Sequence, residues 1–150
     1  MITSIVLGLV AMSACLALQA ATLTYAVRYF ARVGSRKRGR SQGRVAFLQL
    51  ATLMACLMVG TLIQILIWAL LYRLTGLLDD FETAAYFSGV TFTTLGYGDV
   101  LLTGRLRFLA VLQAASGVMM FGLSTAALLA AAQKQLSKRA EALPNAERRA

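Results

Sequence analysis

Three stretches of the chain are apolar over more than twenty residues each, and this feature limits the possible folds most strongly. They cover residues 2–30, 45–72 and about 106–132. A helix needs about 20 apolar residues to cross the hydrocarbon core of a bilayer. Because 59% of the 150 residues are hydrophobic and only 14% are charged, a soluble domain is excluded. We therefore predict an all-α membrane protein with three transmembrane helices.

A cleaved signal peptide is the alternative interpretation of the first apolar segment. Secretory signal peptides begin with a basic region, whereas the opening sequence MITSIV contains no basic side chain. We therefore expect residues 1–31 to be retained as an additional N-terminal transmembrane helix.

The residue types argue against catalysis. The chain has no histidine, so His-based catalytic and metal sites are excluded. Its two cysteines, Cys15 and Cys56, lie within apolar segments, where a thiol behaves as a small hydrophobic group. The sequence also shows no convergent set of catalytic side chains. We therefore expect neither an enzyme nor a bound cofactor.

The cations are concentrated in two parts of the chain. Seven of the fifteen lie within residues 28–44 and five within residues 134–149, whereas four of the six acids fall between these groups. Cations accumulate on the cytoplasmic side of membrane spans. We therefore expect a basic cytoplasmic loop at residues 32–44 and a basic cytoplasmic tail at residues 134–150. The N-terminus then lies outside the cell membrane (inner or plasma membrane), which the chain crosses several times.

The cluster RKRGR in the basic loop has two interpretations. Its position between two spans is explained by topology alone, and we favour that interpretation. The second is contact with anionic lipids through Arg36, Lys37, Arg38 and Arg40. Binding of nucleic acid is not expected, because neither interleaved aromatic residues nor a recognised motif accompanies the cations.

Between the second and third spans lies a moderately apolar segment that is too short to cross the membrane. Residues 79–93, DDFETAAYFSGVTFT, extend only about 21 Å as a helix. Asp79 followed by Glu82 resembles a capping box and predicts a helix that starts near Asp80. Non-helical backbone at membrane depth is tolerated only where protein or a water-filled path surrounds it. The segment is therefore expected to be re-entrant.

The stretch TTLGYGDV, residues 93–100, places two glycines around a tyrosine. Successive carbonyl groups point the same way if alternate residues adopt left-handed conformations, which glycine does without a Cβ penalty. Carbonyl oxygens without clustered carboxylates suit a large monovalent cation better than a divalent one. Since one chain supplies too few oxygens to enclose an ion, several identical loops have to meet on an axis.

Side chains around this stretch are expected to hold its width. Tyr97 is predicted to turn outward, with its ring against Tyr86 and Phe87 of the short helix. Asp99 is predicted to lie at the outer mouth, where it concentrates cations and hydrogen-bonds to the short helix.

The sequence TTLGYGD is similar to the signature of tetrameric potassium channels. The longer stretch ETAAYFSGVTFTTLGYGD looks like the pore helix and filter of bacterial two-transmembrane channels, and TGRLRFLAVLQAASGVMMFGLSTAAL resembles their inner helix. The resemblance implies a homotetramer that conducts K⁺ passively, with potassium as the permeant ion. Residues 45–133 then form the pore module, divided into an outer helix (45–73), a pore helix (80–93), a filter (94–98) and an inner helix (105–133).

The resemblance also implies roles for single residues. The family's ion ligands are filter carbonyls, joined by one threonine hydroxyl, and they fall on Thr94, Leu95, Gly96 and Tyr97, with Gly98 completing the turn outward. The gating-hinge glycine of the inner helix falls on Gly117, a position that close helix packing explains equally well. Cavity-facing positions and the crossing that closes the pore fall on Val118, Phe121, Thr125 and Leu129.

Two residues depart from the family pattern. Val90 replaces a glutamate that some bacterial members carry behind the filter, so a buried carboxyl pair with Asp99 cannot form. Leu95 stands where valine is more frequent, although only its carbonyl would face the ion. Two other interpretations stay open: a weakly selective cation channel on the same scaffold, and a non-conducting scaffold or modulatory subunit.

Overall fold

Four α-helices make up most of the part of the chain that the computed structural model describes, residues 2–34, 42–104 and 106–147. They are α1 (Ile2–Gly34), α2 (Gln42–Leu74), α3 (Phe81–Phe92) and α4 (Phe108–Glu147), and these residues include no β-strand. Three of the helices are long and apolar enough to cross a membrane, at Ile2–Ala26, Ala46–Leu74 and Phe108–Ser137. The predicted all-α membrane fold with three long apolar helices is confirmed.

The three long helices alternate in direction. Gln19 on α1 bonds to Ser124 on α4, and Ala26 packs near Leu128 further along both helices, so α1 and α4 run parallel. Gln19 also bonds to Gln64 on α2, whereas Ala26 packs against the earlier residue Leu53, so α2 runs antiparallel to α1. This alternation is the arrangement expected of successive spans in a bilayer.

The end of α2 is set by Gly76. The amide of Leu77 donates to the Tyr72 carbonyl at 3.1 Å, and the amide of Gly76 donates to the Arg73 carbonyl at 3.2 Å. This is the paired bonding of a Schellman motif, which requires a left-handed residue, and Gly76 has a φ of 68°. The chain therefore turns sharply at the end of α2 and reaches the start of α3 within a few residues.

The N-cap of α3 is Asp80, one residue later than the predicted capping box requires. The Asp80 carboxylate accepts from the Thr83 amide at 2.8 Å and from the Thr83 hydroxyl at 3.0 Å. Asp79 with Glu82 is therefore not the capping pair, because Asp80 offers a carboxylate that takes both donors of one residue. These bonds, the Thr83 amide above all, lower the pKa of Asp80 and so favour its negative charge at the positive end of the helix dipole.

The short helix α3 enters the bundle from one side and stops part-way. Its start lies next to the end of α2, and its last residue, Phe92, lies against Gly117 of α4. Gly117 is nine residues from the start of α4, or roughly 14 Å along its axis. The Ser88 hydroxyl also donates to the Ile65 carbonyl, nine residues before the end of α2. Because the chain returns from Phe92 to the start of α4, the segment between the two spans is re-entrant.

The buried core includes the first span. Cys15 of α1, Trp68 of α2, Phe87 of α3 and Leu109 of α4 belong to one cluster of buried side chains. The Tyr72 and Phe87 rings meet edge to face, with their centroids 5.2 Å apart. The helix α1 is therefore packed within its own subunit against the module formed by the other three helices.

The last helix is longer than a membrane requires. With 40 residues, α4 extends roughly 60 Å, about twice the thickness of a hydrocarbon core. It continues past the inner-helix end predicted at residue 133, so part of the basic tail is helical. The basic cluster proposed for anionic lipid contact lies outside the described residues.

The parallel packing of α1 on α4 predicts a specific crosslink. A Cβ built at Gly8 lies 3.2 Å from the Leu112 Cβ, which is close to the separation in disulfides. With Cys15 and Cys56 both replaced by Ala, the pair Gly8→Cys with Leu112→Cys should form an intramolecular disulfide on mild oxidation. Thiol alkylation followed by mass spectrometry measures the loss of both thiols in the monomer band.

The matched control for this crosslink is Gly8→Cys paired with Gly122→Cys. Gly122 lies further along α4, and a Cβ there has no neighbour within 4 Å. Equal crosslinking of the two pairs, or crosslinking only between subunits, would contradict the packing of α1 described above.

Candidate functional site

The backbone after α3 alternates between two conformations. Thr94 has a φ of 60°, Gly96 a φ of 57° and Gly98 a φ of 81°, so every second residue is left-handed. Such alternation directs successive carbonyl groups to one side of the chain. The two glycines were expected in this conformation, whereas Thr94 was not, because a left-handed conformation is unfavourable for a residue with a Cβ. The sequence does contain a signal for Thr94, since it lies two residues before Gly96 and so continues the alternation set by the two glycines.

Hydrogen bonds to α3 hold this segment in place. The Leu95 amide donates to the Val90 carbonyl at 2.9 Å, and the Gly96 amide reaches the same oxygen at 3.4 Å. In a planar trans peptide the N–H and the preceding C=O point in opposite directions. Because these amides face α3, the carbonyls of Thr94 and Leu95 point away from the helix. The last turn of α3 therefore sets the direction of these oxygens, which is away from the helix.

A side-chain bond ties the outer end of the segment to α3. The Tyr86 hydroxyl donates to the Asp99 carboxylate at 2.7 Å. This bond raises the pKa of the Tyr86 phenol, because ionising it would destroy the bond and place two negative charges together. Val90 lines a cavity of about 260 Å³ beside this segment, together with Tyr86 and Asp99. The Asp99 carboxylate is thus held by a phenol rather than by a second carboxyl group.

The aromatic side chains of this region have different surroundings. The Phe87 ring packs against Tyr72 of α2, and the Tyr97 ring is 67% exposed on the single chain. Tyr97 lies close enough to Tyr86 to interact with it electrostatically.

One face of α4 continues below the filter segment. The positions assigned to the cavity and its closure are three or four residues apart and are all exposed on the single chain: Val118, Phe121, Thr125 and Leu129. The Phe121 ring meets the Phe92 ring at the end of α3, with centroids 5.8 Å apart. Residues 93–99 are also exposed. The filter segment and this face of α4 therefore form a continuous exposed strip.

Gly117 is a close-packing position. A Cβ added there would overlap the carbonyl oxygen of Phe92, which is backbone and has no room to move aside. The hinge and packing explanations were equally open from the sequence, and the structure supplies the contact that packing requires. The absence of a side chain lets α4 approach the C-terminal end of α3 directly.

A buried polar network, missed from the sequence, joins α2, α3 and α4. Gln113 of α4 accepts from the Tyr72 hydroxyl at 2.5 Å and donates to the Ser88 hydroxyl at 2.7 Å. Ser88 in turn donates to the Ile65 carbonyl at 2.6 Å. The signal in the sequence was a glutamine within an apolar span, since polar side chains at membrane depth have to find partners. Gln113 thus links α2, α3 and α4.

The family comparison matches the part of the chain that carries these features. A family model described as an ion channel matches residues 52–134, more than half of the chain. The chain belongs to this ion channel family. The matched part of the channel covers most of α2, all of α3, residues 93–99 and the apolar part of α4, whereas α1 lies outside it. Comparisons with curated proteins and with solved structures return no significant match.

Membership of this family gives the channel a general function. It supports ion conduction across a membrane and points to transport rather than catalysis. The three long apolar helices agree with a multi-pass membrane protein.

Two glycines of α4 separate the packing role of Gly117 from a hinge. Gly117→Ala should destabilise each subunit by about 1–3 kcal/mol, because the new methyl group overpacks against fixed backbone. Gly122→Ala is the matched control on the same helix. A Cβ there meets open space and alanine favours a helix, so this variant should be as stable as the parent or slightly more stable. Thermal unfolding of the purified protein measures both. Equal stability of the two variants would argue for a hinge.

The bond between Tyr86 and Asp99 predicts a pH dependence. Because the pKa of Tyr86 is raised on folding, the bond stabilises the protein below the ordinary tyrosine pKa of about 10. This contribution is lost as the pH rises through the higher folded value. Asp99→Asn removes the nearby charge and should lower the pKa of Tyr86. Ultraviolet absorbance of phenolate measures the titration, and Tyr86→Phe identifies which of the five tyrosines contributes. An unchanged titration in Asp99→Asn would contradict this interaction.

Proposed function

We propose that the chain is a potassium-selective channel subunit that conducts passively through residues 94–98, with four copies around a common axis. The observation that carries this proposal is the left-handed conformation at Thr94, Gly96 and Gly98, combined with amides bonded to α3. Together these features direct backbone oxygens away from α3, which supports the proposal. A ring of such carbonyls replaces the hydration shell of K⁺ during permeation.

The chemistry of the oxygens favours a monovalent cation. Residues 93–98 contain no carboxylate, and the adjacent Asp99 is bonded to Tyr86. A divalent cation would need more negative charge than neutral carbonyls provide. The C-terminal end of α3 lies next to the filter segment, and its partial negative charge helps to hold a cation at this depth. The proposed ion ligands are therefore Thr94, Leu95, Gly96 and Tyr97.

The exposed strip on the single chain supports assembly around an axis. Filter residues and one face of α4 are exposed together, and one subunit supplies too few oxygens to surround an ion. In the proposed homotetramer, Val118, Phe121 and Thr125 line a cavity below the filter, and the pore narrows near Leu129. The exposed Tyr97 ring would pack against a neighbouring subunit and brace the filter.

The orientation of the channel follows from its charges. We propose that the filter and the N-terminus face the outside of the cell membrane, with the basic loop and tail in the cytoplasm. Cations of the loop, Arg36, Lys37, Arg38 and Arg40, would then lie beside anionic headgroups of the cytoplasmic leaflet.

The filter predicts opposite results for two neighbouring substitutions. Gly96→Ala should abolish selectivity or conduction, because alanine disfavours the left-handed conformation by about 1–2 kcal/mol in each of the proposed four subunits. Leu95→Val is the matched control and should conduct nearly as the parent does, since only the backbone of residue 95 faces the ion. Reversal potentials in planar bilayers under a potassium-to-sodium gradient measure the selectivity.

Three outcomes would contradict the proposal in different ways. Equal permeability to K⁺ and Na⁺ in the parent would favour a weakly selective cation channel. Purified tetramers that give neither current nor thallium flux would favour a scaffold or modulatory subunit. A selective current that survives Gly96→Ala would show that the filter geometry does not depend on this glycine.

A further inference from the structure

A second buried polar network joins the first span to the other two. Gln64 of α2 donates to the Gln19 side-chain oxygen at 2.7 Å, and Gln19 donates to the Ser124 hydroxyl at 2.7 Å. Ser124 completes the series by donating to the Met120 carbonyl of its own helix at 2.8 Å. Both glutamines are fully buried. We call Gln19, Gln64 and Ser124 the polar ladder.

The polar ladder and the network around Gln113 lie on opposite sides of Gly117. Gln113 is four residues before Gly117. Ser124 is seven residues after Gly117, or roughly 10 Å from it along α4. The helix α3 ends at Phe92, which lies against Gly117 and Phe121 and thus before the level of Ser124 on α4. Contacts of α4 beyond that level within the subunit include Ala26 of α1 and Leu53 of α2, which pack near Leu128. The first span packs along α4 from Leu112 to Leu128, and its side-chain bond to α4 lies in the half that is furthest from the filter.

The composition of the ladder points to positioning rather than to stability. A hydrogen bond between transmembrane helices changes an equilibrium by only about threefold on average. The Gln64 side-chain oxygen has no partner among the described residues, although it is buried. An apolar pair would fill the same space without leaving a buried acceptor unpaired. What the ladder adds is a fixed register of α1 against α4.

Ser124 directly precedes a pore-facing position. Successive helix residues point about 100° apart, so Ser124 faces α1 while Thr125 belongs to the exposed strip. A displacement of α4 at this level moves both side chains together. It also breaks the bond from Gln19, because that bond has little room to lengthen.

From this arrangement we propose that Gln19 is a positioning residue, which sets the place of the pore-lining half of α4 through its bond to Ser124. The first span is then a working part of the channel that controls the ratio of open to closed pores. This inference rests on the proposed function for the meaning of the pore-lining face, whereas the contact between Gln19 and Ser124 is independent of it.

A double-mutant cycle tests the proposal in single-channel recordings. Gln19→Leu and Ser124→Ala should each change the open-to-closed ratio in the same direction, by about threefold per subunit. The double variant should change it no further than the stronger single variant, because both remove the same bond. Unitary conductance and ion selectivity should stay as in the parent, since the filter is held by Gln113 and α3.

A control variant on the same helix separates this bond from general effects of altering α1. The Thr24 side chain is exposed, and its hydroxyl donates to the Ala20 carbonyl of its own helix. Thr24→Val should therefore leave the open-to-closed ratio unchanged. Ser124→Thr keeps the hydroxyl but changes the size of the side chain, and it should behave as the parent. If packing rather than the hydrogen bond set the open-to-closed ratio, this variant would change the ratio.

Hydrogen exchange gives a readout that does not depend on current. In both Gln19→Leu and Ser124→Ala, amides of α4 beyond Gly117, within residues 118–131, should exchange faster than in the parent, while residues 108–116 stay protected. Additive effects in the cycle, or unchanged exchange beyond Gly117, would overturn the role of Gln19. If the two variants exchange faster than the parent but the parent conducts no ion, the proposed function is overturned and the positioning contact stands.

Discussion

The structure depends on one constraint, which is that the backbone of residues 94–98 is not helical although it lies between two long apolar helices. Lipid offers no hydrogen bonds, so irregular backbone in a membrane protein survives only when protein satisfies its polar groups. The Val90 carbonyl meets this need for the Leu95 amide, and also for Gly96 at a longer distance. Three contacts fix the position of α3 and therefore of this carbonyl: the Asp80 cap, the Ser88 bond to α2 and the contact of Phe92 with Gly117. The short helix is thus the support on which the filter segment is built.

The sequence predicted the parts of this fold that are set by local chemistry. Apolar length identified the three long helices, and a short apolar segment between them identified α3 as re-entrant. The cap was one residue off, because two adjacent aspartates compete for it and only tertiary geometry decides between Asp79 and Asp80. The two filter glycines were recognisable from their type. Thr94 was not, since its conformation is imposed by bonds to α3 rather than by its own preference.

Contacts between distant helices were beyond the reach of the sequence. A glutamine in an apolar span needs a hydrogen-bond partner. The neighbouring sequence does not indicate whether Gln113 bonds to α2, to α3 or to another subunit. The same holds for Gly117, whose meaning depends on the carbonyl of Phe92 lying against it. The two polar networks lie on opposite sides of this glycine: Gln113 bonds to α2 and α3, whereas Ser124 bonds to α1. The family match covers the first network and excludes the helix that completes the second.

The order of partners in the polar ladder has a consequence for how the protein is made. Gln19 is synthesised first, yet the residue that donates to it lies 45 positions later and the one that accepts from it lies 105 positions later. The polar ladder can therefore be complete only when α1, α2 and α4 are all in place. A polar group without a partner in lipid is costly, so the ladder rewards a subunit in which all three long helices have come together and disfavours one in which any of them is missing.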